Sequence, residues 1–298
     1  LEVKAEFLYN RIPFSKILFM INLSLGVLSF MLLLHNSLQR NTPSPKAKTI
    51  SRTAGTIFSV ALYLAFIFHL AGYCLRWYIG GRVPLSNGYE TMQFMALCIL
   101  LIACLLHRRF SFILPFGFLL SGFALLVSYL GQMNPQITPL MPVLVSPWLS
   151  IHVSLIMMSY ALLAFIMLNG ILALCLRKKE SENNVSGNDA VQDNRIEQLT
   201  LVSRLLLYPA TFFLGAGIFL GAVWANVSWG RYWAWDPKEV WALITFLVYG
   251  VAFHSQSLRI FRKPLFFHIY MILAFLTVLM TYFGVNYVLG GMHSYANS

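Results

Sequence analysis

The chain has 298 residues, of which 58% are hydrophobic and only 10% are charged, and its mean hydropathy is +0.70. This composition excludes an ordinary soluble globular protein and is typical of an integral membrane protein. The formal net charge is +11. Because most of the basic residues lie in segments between apolar runs, this charge indicates membrane orientation and not nucleic-acid binding.

Eight apolar runs follow one another along the chain, and each approaches the roughly 20 residues that a helix needs to cross the hydrocarbon core. The longest polar segment, 177–204, is charged and poor in apolar residues, so we expect a flexible loop there and no soluble domain. We therefore predict an all-α fold, a polytopic membrane helix bundle with about eight transmembrane helices. The runs are 14–34, 54–78, 90–106, 111–130, 150–176, 205–224, 240–258 and 265–289.

The side of the membrane follows from the distribution of Lys and Arg, which concentrate in cytoplasmic loops. When the eight spans alternate in direction, fourteen of the 21 basic residues fall on one side, in segments 35–53, 107–110, 177–204 and 259–264. We therefore predict a multi-pass protein of the cell inner (cytoplasmic) membrane. Both termini and all seven tryptophans then lie on or near the extracytoplasmic side.

Histidine is the most informative of the metal-ligating residue types. His35 and His107 adjoin basic loops, where we expect solvated interface residues. His152 and His293 fall on the outer side instead. Neutral imidazole is a ligand of heme iron, so this pair predicts a bis-histidine site, with a plain interfacial role as the alternative. The cysteines form no CxxC pair and predict apolar packing, with no zinc site and no dithiol relay: Cys74, Cys98, Cys104 and Cys175.

The stretch WGRYWAWDPKEVW, residues 229–241, concentrates aromatic and ionisable groups in one outer loop. Indole rings stack on planar π systems, so the stretch predicts a site for a flat, apolar, anionic ligand such as a porphyrin. An interfacial aromatic belt is the alternative. Asp236 has two candidate roles, contact with the ligand or capping of a helix that begins at Pro237. Three basic residues are candidates to pair with the ligand's carboxylates: Arg231, Lys238 and Arg76.

The segment WGRYWAWDPKEVWALITF resembles the tryptophan-rich WWD signature of the heme-handling cytochrome c assembly proteins. GAVWANVSWG immediately before it, and RWYIGGRVPLSNGYETM at 76–92, are most similar to the CcsA-type members, which act in system II cytochrome c synthases. The resemblance covers residues 54 to 296. It implies a CcsA-like heme-handling transmembrane domain at 54–298, with the WWD loop at 224–241. A leading transmembrane helix and cytoplasmic loop occupy 1–53.

The resemblance also implies a cofactor, heme b, and its ligands. In this family two outer histidines ligate the iron, and they match His152 and His293. A third histidine, which matches His254, ligates a second heme within the membrane. Its partner comes from a CcsB-type portion or subunit, with His69 and His268 as alternatives inside this chain. Further heme contacts are implied for Trp224, Trp229, Tyr232, Trp233, Trp235, Asp236 and Arg76.

The activity that the resemblance implies is that of a cytochrome c synthase of the heme lyase type. The chain is expected to transport heme across the membrane, present it on the WWD platform and support its thioether attachment to the CxxCH segment of an apocytochrome c. No residue of the chain needs to be the nucleophile. A heme exporter or carrier without attachment activity and a membrane b-type electron-transfer cytochrome are the alternatives. The opening LEVKAEFLYN resembles a cut end, so we expect the C-terminal portion of a CcsB–CcsA fusion.

Overall fold

Every regular element in the part of the chain that the computed structural model describes is a helix, which confirms the all-α class. The chain folds into two compact units, Leu1–Ala161 and Leu162–Asn297. The domain division predicted after residue 53 concerns the extent of the family region and stays a prediction. The described residues are 2–38, 45–130, 135–137, 146–176 and 187–289.

The first unit consists of α-helices joined by turns and loops, and it includes the first half of the sixth helix. A proline, Pro13, separates the first two helices, as expected for a residue that cannot continue a helix. The helices are α1 (Glu2–Arg11), α2 (Phe14–Leu38), α3 (Pro45–Gly80), α4 (Gly88–Leu106), α5 (Ile113–Leu130) and α6 (Pro147–Leu176).

The second unit contains the rest of α6 and three further α-helices. Its α-helices are α7 (Gly187–Trp229), α8 (Pro237–Val251) and α9 (Pro264–Leu279). Two 3₁₀ turns, Ala252–His254 and Arg259–Arg262, connect α8 to α9, and a π-helix, Met280–Leu289, continues α9. The tryptophan-rich loop is therefore residues 230–236, between α7 and α8, and the flanking parts of 224–241 are helical.

The predicted spans agree with helices along most of the described chain, but two regions differ. α7 already begins at Gly187, so the flexible loop predicted at 177–204 is wrong for 187–204, and the run at 240–258 differs as well. There α8 has 15 residues, about 22 Å at 1.5 Å per residue, and the chain tightens into a 3₁₀ turn where the polar stretch HSQS begins. Helix ends commonly tighten in this way. Within the described ranges, seven helical segments are long and apolar enough to cross a membrane, and the first of them includes α1, the break at Pro13 and most of α2. They are Val3–Asn36, Thr49–Gly80, Gly88–Leu106, Ile113–Leu130, Pro147–Leu176, Arg195–Trp229 and Pro264–Leu289.

Small residues and polar side chains join the helices of the first unit. A Cβ atom added to Gly117 of α5 would collide with the Cβ of Ala103 on α4, so these two helices approach closely. Asn22 of α2 donates a hydrogen bond from Nδ2 to Ser121 Oγ of α5 at 3.0 Å. Close packing and interhelical hydrogen bonds hold membrane helices together, because lipid tails supply no hydrophobic driving force between them.

Hydrogen bonds to α9 and to the π-helix fix α8 within the second unit. The hydroxyls of Thr245 in α8 and Thr281 in the π-helix lie 3.0 Å apart. The Tyr270 hydroxyl of α9 donates to the Val248 carbonyl of α8 at 2.7 Å. The helix that follows the tryptophan-rich loop is thus anchored along its length to α9 and to the π-helix.

Gly117→Ala is expected to destabilise the protein by about 1–3 kcal/mol, because the added methyl group overpacks the α4–α5 contact. Gly55→Ala on α3 is the matched control, since nothing lies within 4 Å of its added Cβ. Higher helix propensity should make that change neutral or stabilising by up to about 1 kcal/mol. Thermal unfolding of the detergent-solubilised protein measures both. Equal effects of the two substitutions would contradict the close approach of α4 and α5.

Candidate functional site

The tryptophan-rich loop has a defined beginning and end. α7 ends at Trp229, and Gly230 follows with a φ of 74°, a left-handed conformation that glycine adopts without strain after a helix. The Gly230 N–H still donates to the Asn226 carbonyl at 2.8 Å, so the chain leaves the helix in a tight turn. α8 begins at Pro237, whose fixed φ suits a first helical position.

Two carboxylates fix the start of α8. Asp236 is the N-cap residue, and its Oδ1 accepts the Lys238 N–H at 3.0 Å. Glu239 Oε2 reaches back and accepts the Asp236 N–H at 3.3 Å and the Ala234 N–H at 2.8 Å. This arrangement contains a capping box. The predicted capping role of Asp236 is therefore confirmed, while its contact with a ligand stays a prediction.

The tryptophans at the end of α7 and in the loop form two edge-to-face pairs. Trp224 is buried, and its ring centroid lies 4.9 Å from that of Trp229 at an interplanar angle of 67°. The rings of Trp233 and Trp235 lie 5.9 Å apart at 87°. Tyr232 is 60% exposed and Trp235 is 73% exposed. The first pair therefore anchors the end of α7, and the second leaves open aromatic surface of the kind that stacks on a flat ligand.

Trp235 is held in an uncommon backbone conformation. Its φ is 55°, the only positive value at a non-glycine residue in the described ranges. For a bulky side chain this left-handed conformation costs about 1–3 kcal/mol and persists only where the surroundings impose it. Strain of this kind concentrates at functional sites, so Trp235 is the strongest candidate for a ligand contact in the loop.

Two of the predicted cationic groups belong to the loop region. Arg231 is exposed, whereas Lys238 is half-buried and donates from Nζ to Asn286 Oδ1 in the π-helix at 3.0 Å. Lys238 lies before the predicted span at 240–258. Desolvation lowers the pKa of Lys238 to about 8, and the negative charge of Asp236 opposes this shift. A carboxylate approaching Lys238 would favour its charged form. An anionic ligand at the loop would thus meet one exposed and one half-buried cation.

Arg76 belongs to the first unit, where its side chain is committed to protein acceptors. It is 3% exposed and donates twice to Glu90 Oε1, at 3.1 and 2.9 Å. It also donates to Tyr9 Oη at 3.2 Å, to the Pro135 carbonyl at 2.6 Å and to the Gln136 carbonyl at 3.3 Å. A guanidinium has five N–H donors, so the predicted contact of Arg76 with heme requires one of these partners to be exchanged.

Glu90 is a residue that the sequence reasoning missed. Its side chain is 1% exposed, and its Oε2 accepts Arg82 Nη1 at 3.0 Å and the Ser86 N–H at 2.8 Å. Asn87 caps α4 and accepts the Glu90 N–H at 2.9 Å. Asn87 and Glu90 are three residues apart, a spacing that marks the start of a helix. This spacing could have indicated from the sequence that Glu90 lies in the first turn of α4.

His69, His268 and His107 each direct a ring nitrogen at an acceptor or hydroxyl of the protein. Nε2 of His69 lies 2.9 Å from a backbone carbonyl of α4, and Nε2 of His268 lies 2.9 Å from a threonine hydroxyl of α7. His107 is 7% exposed and directs Nδ1 at carbonyls of its own helix. The solvated role predicted for His107 is therefore wrong, because its ring folds back onto α4. In His69 and His268 the contact occupies Nε2 alone, and Nδ1 of His268 is buried without a hydrogen-bond partner in the described structure, so both residues stay alternatives as iron ligands.

The histidines predicted as iron ligands lie in different parts of the chain. His152 is half-buried in the second turn of α6. His254 is exposed in the 3₁₀ turn after α8, at the end opposite to Asp236 and the loop. The second unit therefore brings the aromatic residues and Asp236 together but separates them from His254 by the length of α8. His293 lies outside the described residues, and its role stays a prediction.

Comparison with known proteins agrees with the motifs. The family model described as Cytochrome C assembly protein matches residues 85–293. The chain is 38% identical to Protein NrfI of Wolinella succinogenes, over 80% of this chain and 26% of that protein. It is 38% identical to cytochrome c biogenesis protein CcsA of Chlamydomonas reinhardtii, over 74% and 63%. It is 30% identical to CcsA of Prochlorococcus marinus strain NATL1A, over 98% of both chains. The chain covers less than two thirds of the first two relatives.

Replacing Trp233 or Trp235 by Ala is expected to weaken heme binding by about 1–3 kcal/mol each, because each change removes a stacking surface. Phe should be milder, since it keeps an aromatic face. Trp77→Ala is the matched control, an exposed tryptophan of α3 that should leave heme binding unchanged. Absorbance titration of the purified chain with heme measures the affinities. Parent-like binding by the Ala and Phe variants of both residues would favour the interfacial belt.

Proposed function

The chain belongs to the cytochrome c assembly family, and from this premise we propose that it is the heme-presenting part of a cytochrome c synthase. It holds heme b against the tryptophan-rich loop and supports its attachment to an apocytochrome c. The observation that carries this proposal is the exposed and strained Trp235, in a loop that two carboxylates tie to the start of α8.

Heme is held by stacking, by iron ligation and by charge. His152 and His293 would hold the iron, because neutral imidazole binds heme iron. Arg231 and Lys238 pair with the propionates, and Arg76 joins them only after an exchange of partners. The proposed contacts with the porphyrin itself are Trp224, Trp229, Tyr232, Trp233, Trp235 and Asp236.

The proposed reaction adds the two thiols of a CxxCH segment to the two vinyl groups of heme. Each addition forms one carbon–sulfur bond, and the thiol proton goes to the neighbouring vinyl carbon, so no oxidant and no leaving group are required. No side chain of this chain has to act as a nucleophile. The chain instead orients the porphyrin beside the incoming thiols and excludes water from the tryptophan-rich loop.

We propose that the chain acts with a CcsB-type portion, either fused to it or as a separate subunit. Its coverage of only 26% of NrfI is compatible with being one portion of a longer polypeptide. The distribution of basic residues supports insertion in the inner membrane with the tryptophan-rich loop on the extracytoplasmic side. Heme entering at the cytoplasmic side would then be transported to the loop.

The function is tested by expressing the chain with a CcsB-type portion and a reporter apocytochrome c in a host that lacks its own synthase. The reporter is expected to keep its heme through acid–acetone extraction, because thioether bonds survive that treatment. A reporter with both cysteines replaced by alanine is the control and should lose it. Heme that reaches the outer side but stays extractable would favour an exporter. Heme confined to the chain would favour a b-type cytochrome.

His152→Ala and His293→Ala are each expected to lower heme retention and abolish synthesis, because the iron loses one axial ligand. Added imidazole should partly restore both, since it can occupy the vacated position. His35→Ala is the matched control, an exposed histidine of α2. Heme per chain is measured by the pyridine hemochrome spectrum. Normal heme content and activity in the double Ala variant would refute the assignment.

His254 is expected to ligate a second heme whose other histidine comes from the CcsB-type portion. The second heme should therefore appear only when both portions are expressed together, and His254→Ala should remove it while leaving the outer heme. His152→Ala should remove the outer heme and leave the second one. Heme per chain and low-temperature absorbance spectra measure both. Two bis-histidine hemes in the isolated chain would contradict this and turn attention to His69 or His268.

A further inference from the structure

We propose that Glu239 is a positioning residue of the heme platform: its carboxylate holds the backbone on both sides of Trp235 and so keeps the indole of Trp235 exposed. This role rests on the proposed function, because it concerns how that platform is built. Glu239 itself acts through Trp235 and does not bind the heme.

The contacts of Glu239 exceed what a helix cap requires. In a capping box the carboxylate of the third helical residue accepts the N–H of the N-cap residue, which here is Asp236, at 3.3 Å. Glu239 Oε2 also accepts the N–H of Ala234, two residues before the cap, at the shorter distance of 2.8 Å. One oxygen atom therefore ties down the residue before Trp235 and the residue after it.

Trp235 remains exposed although it directly precedes the N-cap residue of α8, where hydrophobic residues often pack against the helix. A hydrophobic residue directly before the N-cap often packs against the fourth helical residue, which is Val240. Trp235 is instead 73% exposed and meets Trp233 edge to face. Its large apolar surface therefore contributes little to folding by burial. The indole of Trp235 is therefore available to a flat ligand.

The backbone of Trp235 would relax if nothing constrained it. Its φ of 55° lies in a region that bulky residues avoid, and rotation to an extended or helical value would turn the indole in another direction. The two hydrogen bonds from Ala234 and Asp236 go to a carboxylate, and such charge-assisted bonds are stronger than neutral ones. The Asp236 side chain does not supply this constraint, because it accepts the Lys238 N–H further along the chain.

The first test needs no heme. The full chain is labelled with fluorotryptophan, and the fluorine NMR signal of Trp235 is identified as the one that is lost in Trp235→Phe. Glu239→Ala removes both hydrogen bonds, so the signal should move toward that of a mobile, solvent-exposed indole. Glu239→Gln keeps an acceptor oxygen at the same reach and should leave the signal near its original position. The signals of the other tryptophans report whether each variant is folded.

Asp236→Ala is the matched control, because it removes the other half of the capping box and leaves both N–H groups that Glu239 accepts. It should lower stability while the Trp235 signal stays in place. An equal displacement of the signal in Asp236→Ala and Glu239→Ala would show that helix capping alone is at work and would overturn the role of Glu239. Loss of the signal position in Glu239→Gln would overturn it as well.

The second test is titration of the purified chain with ferric heme. Glu239→Ala should weaken binding about tenfold, to the same extent as Trp235→Ala. The double variant should be no weaker than Trp235→Ala alone, because both changes act through one indole. Additive losses would mean that Glu239 acts on heme separately and would overturn the proposal. If the parent chain fails to bind heme, the proposed function fails, while the fluorine signals still decide what Glu239 does.

Discussion

A bilayer core offers no water to the polypeptide backbone, so every N–H and C=O group at that depth must be paired within the protein. This constraint accounts for the helical character of the described chain. The first N–H groups of any helix have no intrahelical partner, and side chains meet them where α4 and α8 begin. At the start of α8 the leading N–H groups meet Asp236 and Glu239. At the start of α4 they meet Asn87 and Glu90. The need to pair these N–H groups therefore also determines the conformation of the loops before α4 and α8.

The two acidic helix starts differ in what they hold. Glu90 lies between Arg76 and Arg82 and forms an ion pair with each of them. Those charges are satisfied inside the first unit, which suits a structural role. Glu239 accepts peptide N–H groups instead, and the residue between them, Trp235, is exposed with a strained backbone. The second arrangement leaves its aromatic surface open, and for that reason it is the better candidate to meet a ligand.

Features that depend on neighbouring residues could be predicted from the sequence. The apolar run 14–34 lies within α2, and Asp236 caps α8 as predicted. Both could be predicted because hydropathy and helix capping depend on residues that are close in sequence. Contacts between distant segments could not be predicted. The sequence predicts a solvated His107 and a ligand-binding Arg76, whereas the fold buries both among protein acceptors. The positive φ of Trp235 could not be predicted either. The proposed cause is the side chain of Glu239, four residues later, and hydrophobic periodicity does not indicate such a contact.

The claim that heme lies against the tryptophan-rich loop is tested most directly by photo-crosslinking. A heme analogue with a photoreactive group on one propionate is bound to the full chain and irradiated, and the modified peptides are identified by mass spectrometry. We predict adducts within 224–241 that unmodified heme suppresses by competition and that Trp235→Ala reduces. Adducts confined to other segments, and insensitive to unmodified heme, would contradict the claim.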